Sequence, residues 1–359
     1  MSFNLGSICE IIMGQSPSGN SCNKDRNETP LLNGPTEFGS VHPSPVQFTS
    51  EPKKKSQKGD LLFCVRGSTT GRMNWSDQEY AIGRGLAAIR GVDRYPNIYI
   101  KAVIETKLSE LLLKATGSTF PNVSKEMISN ISISKITAKD ATSIATVLEP
   151  IDNRIALLQE TNLTLEVIAQ ALFKSWFIDF DPVHAKQEGK QPKGMDKATA
   201  TLFPDSFEQN ELSKIPSKWK IKKLSDFLNL SYGKSLIAKK RVYGNFPVYG
   251  SGGLSGYHNE PLVNGPSIIV GRAGTIGSLY WEDRDFFPID STFYVETSIS
   301  KFYCFYLLQT LDLPSMNTGA AVPGLNRNDV YRLKVILPED KVLQKFDELV
   351  FIIRKNIFN

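Results

Sequence analysis

The chain has 359 residues, 41% of them apolar and 22% charged, with a formal net charge of +5, which is length enough for two domains with their own cores. No 18 consecutive residues are apolar, and the opening MSFNLGS carries no basic region ahead of an apolar stretch, so the reading is a cytoplasmic protein with neither membrane span nor signal peptide. The four cysteines lack CxxC spacing and the three histidines lie far apart, which argues against a zinc site or a disulfide framework and for buried, inert thiols.

From the N terminus, three stretches define a first unit: LGSICEIIMGQS from Leu5, GDLLFCVRGSTTGRMNW over 59–75, and GSTFPNVSKEMISNISI from Gly117. Each returns in the same order as LSDFLNLSYGKS from Leu224, GPSIIVGRAGTIGSLYW over 265–281, and GAAVPGLNRNDVYRLKV from Gly319. The middle pair shares Gly59/Gly265, Arg66/Arg272, Thr69/Thr275, Gly71/Gly277 and Trp75/Trp281 without a gap. Offsets of 219, 206 and 202 drift slowly, as a duplicated unit with altered loop lengths would. Short apolar runs such as LLFCV and SIIVG between glycine-rich turns predict strands joined by tight loops.

Between the copies, Ile144, Leu148, Ile151, Ile155, Leu158, Asn162, Leu165, Ala169, Leu172 and Trp176 step by four and three. That heptad seam predicts a long helix packed along one narrow stripe, with Asn162 as a register-fixing amide. Pro150 predicts a kink, or a helix that effectively starts there. DFDPVHAKQEGKQPKG reads as a linker, and KVLQKFDELVFIIRKNIFN as a second, shorter seam through Val342, Phe346, Leu349 and Ile353. Charge follows the same division: residues 1–135 carry 16 Lys+Arg against 12 Asp+Glu, 136–215 carry 8 against 12, and 216–359 carry 18 against 13. Two basic modules flanking an acidic rod suit a polyanion partner.

The expected layout is a first recognition domain at 1–138, a spacer helix at 139–180, a linker at 181–214, a second recognition domain at 215–338, and a short second spacer helix at 339–359. The fold class is α+β, each domain a twisted, mostly antiparallel sheet with helices. Ile144 to Trp176 would span about 50 Å as helix, or roughly 14 to 15 base pairs.

The connector NLTLEVIAQALFKSWFIDFDPV resembles the central shared region of Type I restriction-modification specificity subunits. IPSKWKIKKLSDFLNLSYGKS and PGLNRNDVYRLKVILP are similar to the opening and close of that family's second recognition module. The resemblance implies a non-catalytic subunit whose modules each read half of a split, double-stranded DNA target while the helices set the gap. It also implies two modification (methyltransferase) subunits, seated on a spacer surface that includes Ile155, Asn162, Leu165, Leu172 and Trp176, and ATP-driven restriction subunits recruited through them. S-adenosylmethionine, ATP and Mg belong to those partners, with no cofactor or metal on this chain. The shorter second helix leaves open a self-association that would complete the helix pair.

Arg66 and Arg272 should emerge where a strand meets a loop, able to grip phosphate or guanine, or to hold the turn. Because both copies share them, they suit phosphate or structural use better than base reading. Base readers should lie where the copies diverge: Gln15, Asn33, Ser68, Arg72 and Arg84 in the first module; Lys234, Tyr249, Ser251, Tyr257, Asn317 and Asn326 in the second. Trp75 and Trp281 read as core. A stand-alone DNA-modifying enzyme is the alternative, but no N/D-P-P-Y/F clamp occurs. GSGGLSG at Gly250 lacks the third glycine of a dinucleotide loop, and the adjacent acids of LPEDKV point apart. The remaining alternative is a protein-binding scaffold.

Overall fold

A computed structural model gives the structure over residues 3–39, 41–115, 121–210, 214–316 and 324–358. The chain divides into two compact units, Met1–Thr161 and Asn162–Asn359, and the division falls inside one helix.

The first unit is built on a four-stranded antiparallel sheet in the order Cys9–Met13, Leu86–Gly91, Leu61–Cys64, Met73–Trp75. Its central strand explains the unbroken run LLFCV: side chains alternate across a strand, and here both faces are covered. Leu61 and Phe63 enter a core with Ile100 and Ile104 of helix α1 (Asn97–Lys114), while Leu62 and Cys64 enter a second core with Leu32, Tyr80 and Ile82. That second core lies under a five-stranded sheet in which Thr29–Leu32 and Tyr80–Ile82 pair in parallel. A short helix, α2 (Lys125–Ser129), is capped by the Ser124 hydroxyl accepting from the Met127 amide. The ends of the module meet: the Leu5 amide donates to the Ile131 carbonyl at 2.9 Å and the Ile133 amide to the Phe3 carbonyl at 3.0 Å.

Helix α3 runs from Ala138 to Phe177, 40 residues, with Pro150 inside it. Of the two expectations for Pro150, a kink or an effective start, the start is corrected: the helix begins twelve residues earlier, where Thr137 and Asp140 cap each other, close to the bound of 139 expected for the spacer. Proline removes one backbone hydrogen bond, and Ala141 and Ala145, buried on the preceding turns, hold that part of the helix in place. Within the first unit, α3 rests on its small-residue face, and Lys101 Nζ of α1 bonds Asp152 at 2.7 Å. The seam residues Ile144, Ile151, Ile155 and Leu158 stay between 41% and 53% exposed.

In the second unit the same topology recurs: Leu228–Tyr232, Thr292–Thr297, Ser267–Gly271 and Leu279–Glu282 form an antiparallel sheet in the equivalent order. Phe246–Gly250 and Phe287–Pro288 repeat the parallel pair. The strands sit at offsets of 219 and 206 from their counterparts, those read from the sequence. The segment read as a linker contains two short helices, α4 (Asp181–Gln187) and α5 (Lys197–Thr201), and its Val183 and Phe203 are buried with Trp176 and Trp219. Turn-rich composition marked the bends there but not this long-range burial. Helices α6 (Lys301–Gln309) and α7 (Arg327–Arg332) take the places of α1 and α2, and strands Lys220–Lys223 and Lys334–Leu337 pair at the module's ends. Helix α8 (Asp340–Phe358) packs on the Asn162–Phe177 part of α3 through Phe346, whose ring centroid lies 5.9 Å from Phe173 and 5.1 Å from Phe177. The Asn162 side chain donates to the Ile357 carbonyl at 3.3 Å, a polar lock inside an otherwise apolar seam. Among the described residues, no helix is long and apolar enough to cross a membrane.

Burial sets the thiol chemistry as well. Cys9, Cys64 and Cys304 are buried, and burial pushes Cys9 and Cys304 up to about 12.

Candidate nucleic-acid interface

Most of the sequence-derived candidates gather at one end of each module, around a single turn. In the first module this is Ile82–Gly85. The Gln15 amide donates to the Ile82 carbonyl at 2.8 Å, the Gly83 amide to Leu32, and the Val65 amide to Gly85 at 2.9 Å. These bonds bring Gln15, Asn33, Arg66 and Arg84 to the rim of the turn, all four exposed. In the second module the equivalent turn is Pro288–Ser291. The Lys234 amide donates to the Pro288 carbonyl at 3.1 Å, the Ser251 amide to Ser291 Oγ at 3.2 Å, and the Arg272 amide to the Ser291 carbonyl at 2.9 Å. Leu325, next to Asn326, joins through its amide to the Arg272 carbonyl at 2.8 Å.

Close packing at this turn demands glycine at an equivalent position in both copies. A Cβ on Gly14 would lie 2.1 Å from the Gly83 carbonyl oxygen, and one on Gly233 would lie 2.2 Å from that of Ile289. The strand ahead of each loop is thereby pressed against the turn, which fixes where Gln15 and Lys234 project.

The shared arginines tie their loops to neighbouring segments, Arg66 through a side chain and Arg272 through backbone. Arg66 Nε donates to Asn122 Oδ1 at 3.1 Å, tying the loop to the segment before α2. Arg272 grips the Asp290 carbonyl with Nε at 2.9 Å and Nη2 at 2.7 Å. Its guanidinium also lies 5.7 Å from the Tyr232 ring centroid, and that of Arg327 lies 4.9 Å from the same ring. Tyr232 and Arg327 were missed by the sequence reading. Their signal was the junction itself, since Tyr232 stands where the first copy has Met13, directly before the paired glycines.

Not every candidate joins this end as a free side chain. Tyr249 turns inward, its hydroxyl donating to Glu282 Oε2 at 2.8 Å, and burial together with that carboxylate pushes its phenol well above the usual range. The Asn326 side chain caps α7, accepting from the Asn328 amide at 2.9 Å. Ser68 and Arg72 are exposed on the loop after Arg66, with Arg72 Nη1 at 3.4 Å from the Pro35 carbonyl. Tyr257 is exposed on the hairpin strand Gly253–His258. Asn317 lies outside the described residues. Trp281 packs rather than projects: its ring stacks on Phe302 at 4.6 Å and its Nε1 donates to Asp283. Of the spacer residues, Trp176 is buried at 3% exposure, Leu165 and Leu172 are half-buried, and Ile155 is open. No group of three or more metal-ligating side chains occurs among the described residues.

A family model described as the Type I restriction modification DNA specificity domain matches residues 1–167 and 216–353. The chain belongs to this family. Family members of this kind supply recognition, not catalysis, and each of the two matched blocks contains one copy of the repeated sheet. The chain is similar to the Type I restriction enzyme HindI specificity subunit of Haemophilus influenzae, 24% identical over 386 positions covering 86% of this chain and 83% of the relative. It is also similar to the putative MjaX specificity subunit of Methanocaldococcus jannaschii, 33% identical over 161 positions covering 44% of this chain and 37% of the relative. A Type I restriction-modification S subunit from M. genitalium superposes with a TM-score of 0.56 at 16% identity, covering 100% of this chain and 90% of that one, which is a likeness of fold.

Proposed function

We propose that this chain is the sequence-reading subunit of a Type I restriction-modification complex, each module contacting one half of a bipartite DNA target. The observation that carries the reading is the recurrence of one turn, rimmed by polar and basic side chains that differ between the copies, in two modules of a specificity-family chain. A shared scaffold with different rims is what two unlike half-sites require. The residues proposed to face DNA are Gln15, Asn33, Ser68, Arg72 and Arg84 in the first module and Lys234, Ser251, Tyr257 and Asn317 in the second. Arg66, Arg272, Tyr249 and Asn326 shape these loops, with the arginines also within reach of phosphate.

The layout proposed is recognition modules at 1–138 and 215–338, with α3 and α8 as spacer. The open stripe Ile144, Ile151, Ile155 and Leu158 supports docking of a modification subunit, or of a second copy, since an apolar helix face of that extent is costly in water. S-adenosylmethionine, ATP and Mg would be held by those partners, and the complex would work in the cytoplasm.

Mapping modified adenines in a host carrying this protein with its modification partners tests the reading. A split target is expected. Inserting one heptad after Leu158 lengthens α3 by about 10 Å, so the gap should grow by about three base pairs. An unchanged gap would sink the spacer role. Binding of the complex to duplex that ignores both salt and sequence would sink DNA reading itself.

A further inference from the structure

The second module carries a loop that the first does not match, and its chemistry is unlike that of an ordinary solvated turn. Residues 233–245, GKSLIAKKRVYGN, hold four basic side chains and no acid, whereas the corresponding 15–28, QSPSGNSCNKDRNE, balances two bases with two acids. Lys234, Lys239 and Lys240 are exposed and make no ion pair among the described residues. Tyr243 is 94% exposed, flanked by Val242 at 56%, with Ile237 at 55% on the same loop.

This display is held in place. A 3-10 turn spans Ala238–Lys240. The Arg241 guanidinium donates to the Ser255 carbonyl, and the Val242 amide donates to His258 Nδ1 at 3.1 Å. Gly244 is pressed so closely to the neighbouring strand that a Cβ there would lie 2.3 Å from Asn259 Cα. Tyr243 is therefore pinned by backbone on both sides while its ring stands in solvent. Arg241 Nε is buried and has no hydrogen-bond partner among the described residues. A fixed loop with an outward aromatic and unpaired cations loses little freedom on meeting a polyanion.

We infer that this loop is a DNA arm of the second module: Lys239 and Lys240 neutralise phosphates beside the half-site, and the Tyr243 ring, backed by Val242, wedges against a base step. Lysines at phosphates release counterions and position the duplex. An apolar or aromatic wedge on a basic element is the chemistry by which proteins unstack and bend DNA. The inference rests on the proposed reading of the chain as a DNA reader and adds residues and a mode of contact to it.

The test uses the complex of the full chain with its modification subunits and a duplex carrying the mapped target, with 2-aminopurine placed in turn at each step of and beside the second half-site. Wild type should brighten the probe at one step. Tyr243→Ala should abolish that signal and weaken binding about tenfold or more, while Tyr243→Phe keeps both. Lys239→Gln with Lys240→Gln should lower the slope of log affinity against log salt by about 1.8, at about 0.9 per phosphate contact, on any sequence. If wild type binds the target with a normal salt slope yet Tyr243→Ala leaves probe signal and affinity unchanged, the arm is wrong and the broader reading survives. Loss of subunit assembly in Tyr243→Ala, seen by size-exclusion chromatography, would also overturn it by making the loop a protein contact. A wild-type complex that does not bind the target defeats the broader reading instead.

Discussion

Arg354 offers the sharpest test of how the second unit is held together. Its Nη1 lies 3.2 Å from Glu166 of α3 and its Nη2 3.6 Å from Asp283, and the guanidinium sits 5.4 Å from the Trp281 ring centroid. One side chain on α8 thus joins three elements. The arginine is 13% exposed, but its partners are 25% and 30% exposed, so water can screen part of the charge left behind. Removing one partner of a fully buried pair costs about 3–5 kcal/mol, and an exposed pair is worth about 0.2–1. Arg354→Met should therefore cost about 2 kcal/mol, the lost cation–π contact supplying about 0.5–1 of it. At a urea slope of about 2 kcal/mol per molar, the midpoint falls by about 1 M. Tryptophan fluorescence is a suitable probe, because Trp176, Trp219 and Trp281 all lie in this unit. Glu166→Gln in the Arg354→Met background should recover about half of the loss. Strict additivity of the two substitutions, or a midpoint shift below about 0.2 M, would refute the charge-clamp argument.

Glu282 should make the second unit sensitive to acid. Burial alone would raise its carboxyl, but hydrogen bonds from Arg284 and from the Tyr249 hydroxyl outweigh burial and hold it below the ordinary value of 4.5. A carboxylate depressed on folding contributes stability above its unfolded value, and that contribution is lost as pH falls through the folded one. Denaturation midpoints measured from pH 6 downward should fall more steeply for wild type than for Glu282→Gln; parallel curves would contradict this. Gly233→Ala should cost about 1–3 kcal/mol through overpacking on the Ile289 carbonyl. It should also weaken binding at the second half-site more than at the first, as read by footprinting, because the displaced turn carries the rim.

The duplication was legible because it leaves identities at Arg66/Arg272 and Gly71/Gly277 that survive loop changes. LLFCV and SIIVG announced strands, and the structure supplies the reason for their lack of alternation: both faces are covered, whereas a half-solvated strand would alternate with polar residues. The seam of α3 was legible as a helix, but periodicity cannot say which stretch finds a partner within its own unit. Phe173 and Trp176 do, while Ile151 and Ile155 stay in water. The grip of Arg272 on the Asp290 carbonyl had no sequence signature, since a backbone acceptor belongs to every residue type. The inward turn of Tyr249 had no sequence signal for a related reason, because only the fold places Glu282 under its hydroxyl. The segment 181–214 read as a tether since prolines and glycines report local bends, whereas the burial of Val183 and Phe203 depends on aromatic residues elsewhere in the chain.

The junction where each module begins and ends has an evolutionary corollary. In the first, residues 3–5 lie hydrogen-bonded to 131–133; in the second, the strand at 220–223 is zipped to that at 334–337. Because entry and exit stand shoulder to shoulder in space, though at opposite ends of the module's sequence, a foreign module whose own ends meet in the same way should fit in place of either. Recombination that exchanges one whole module should then change specificity while the rest of the chain keeps its sequence.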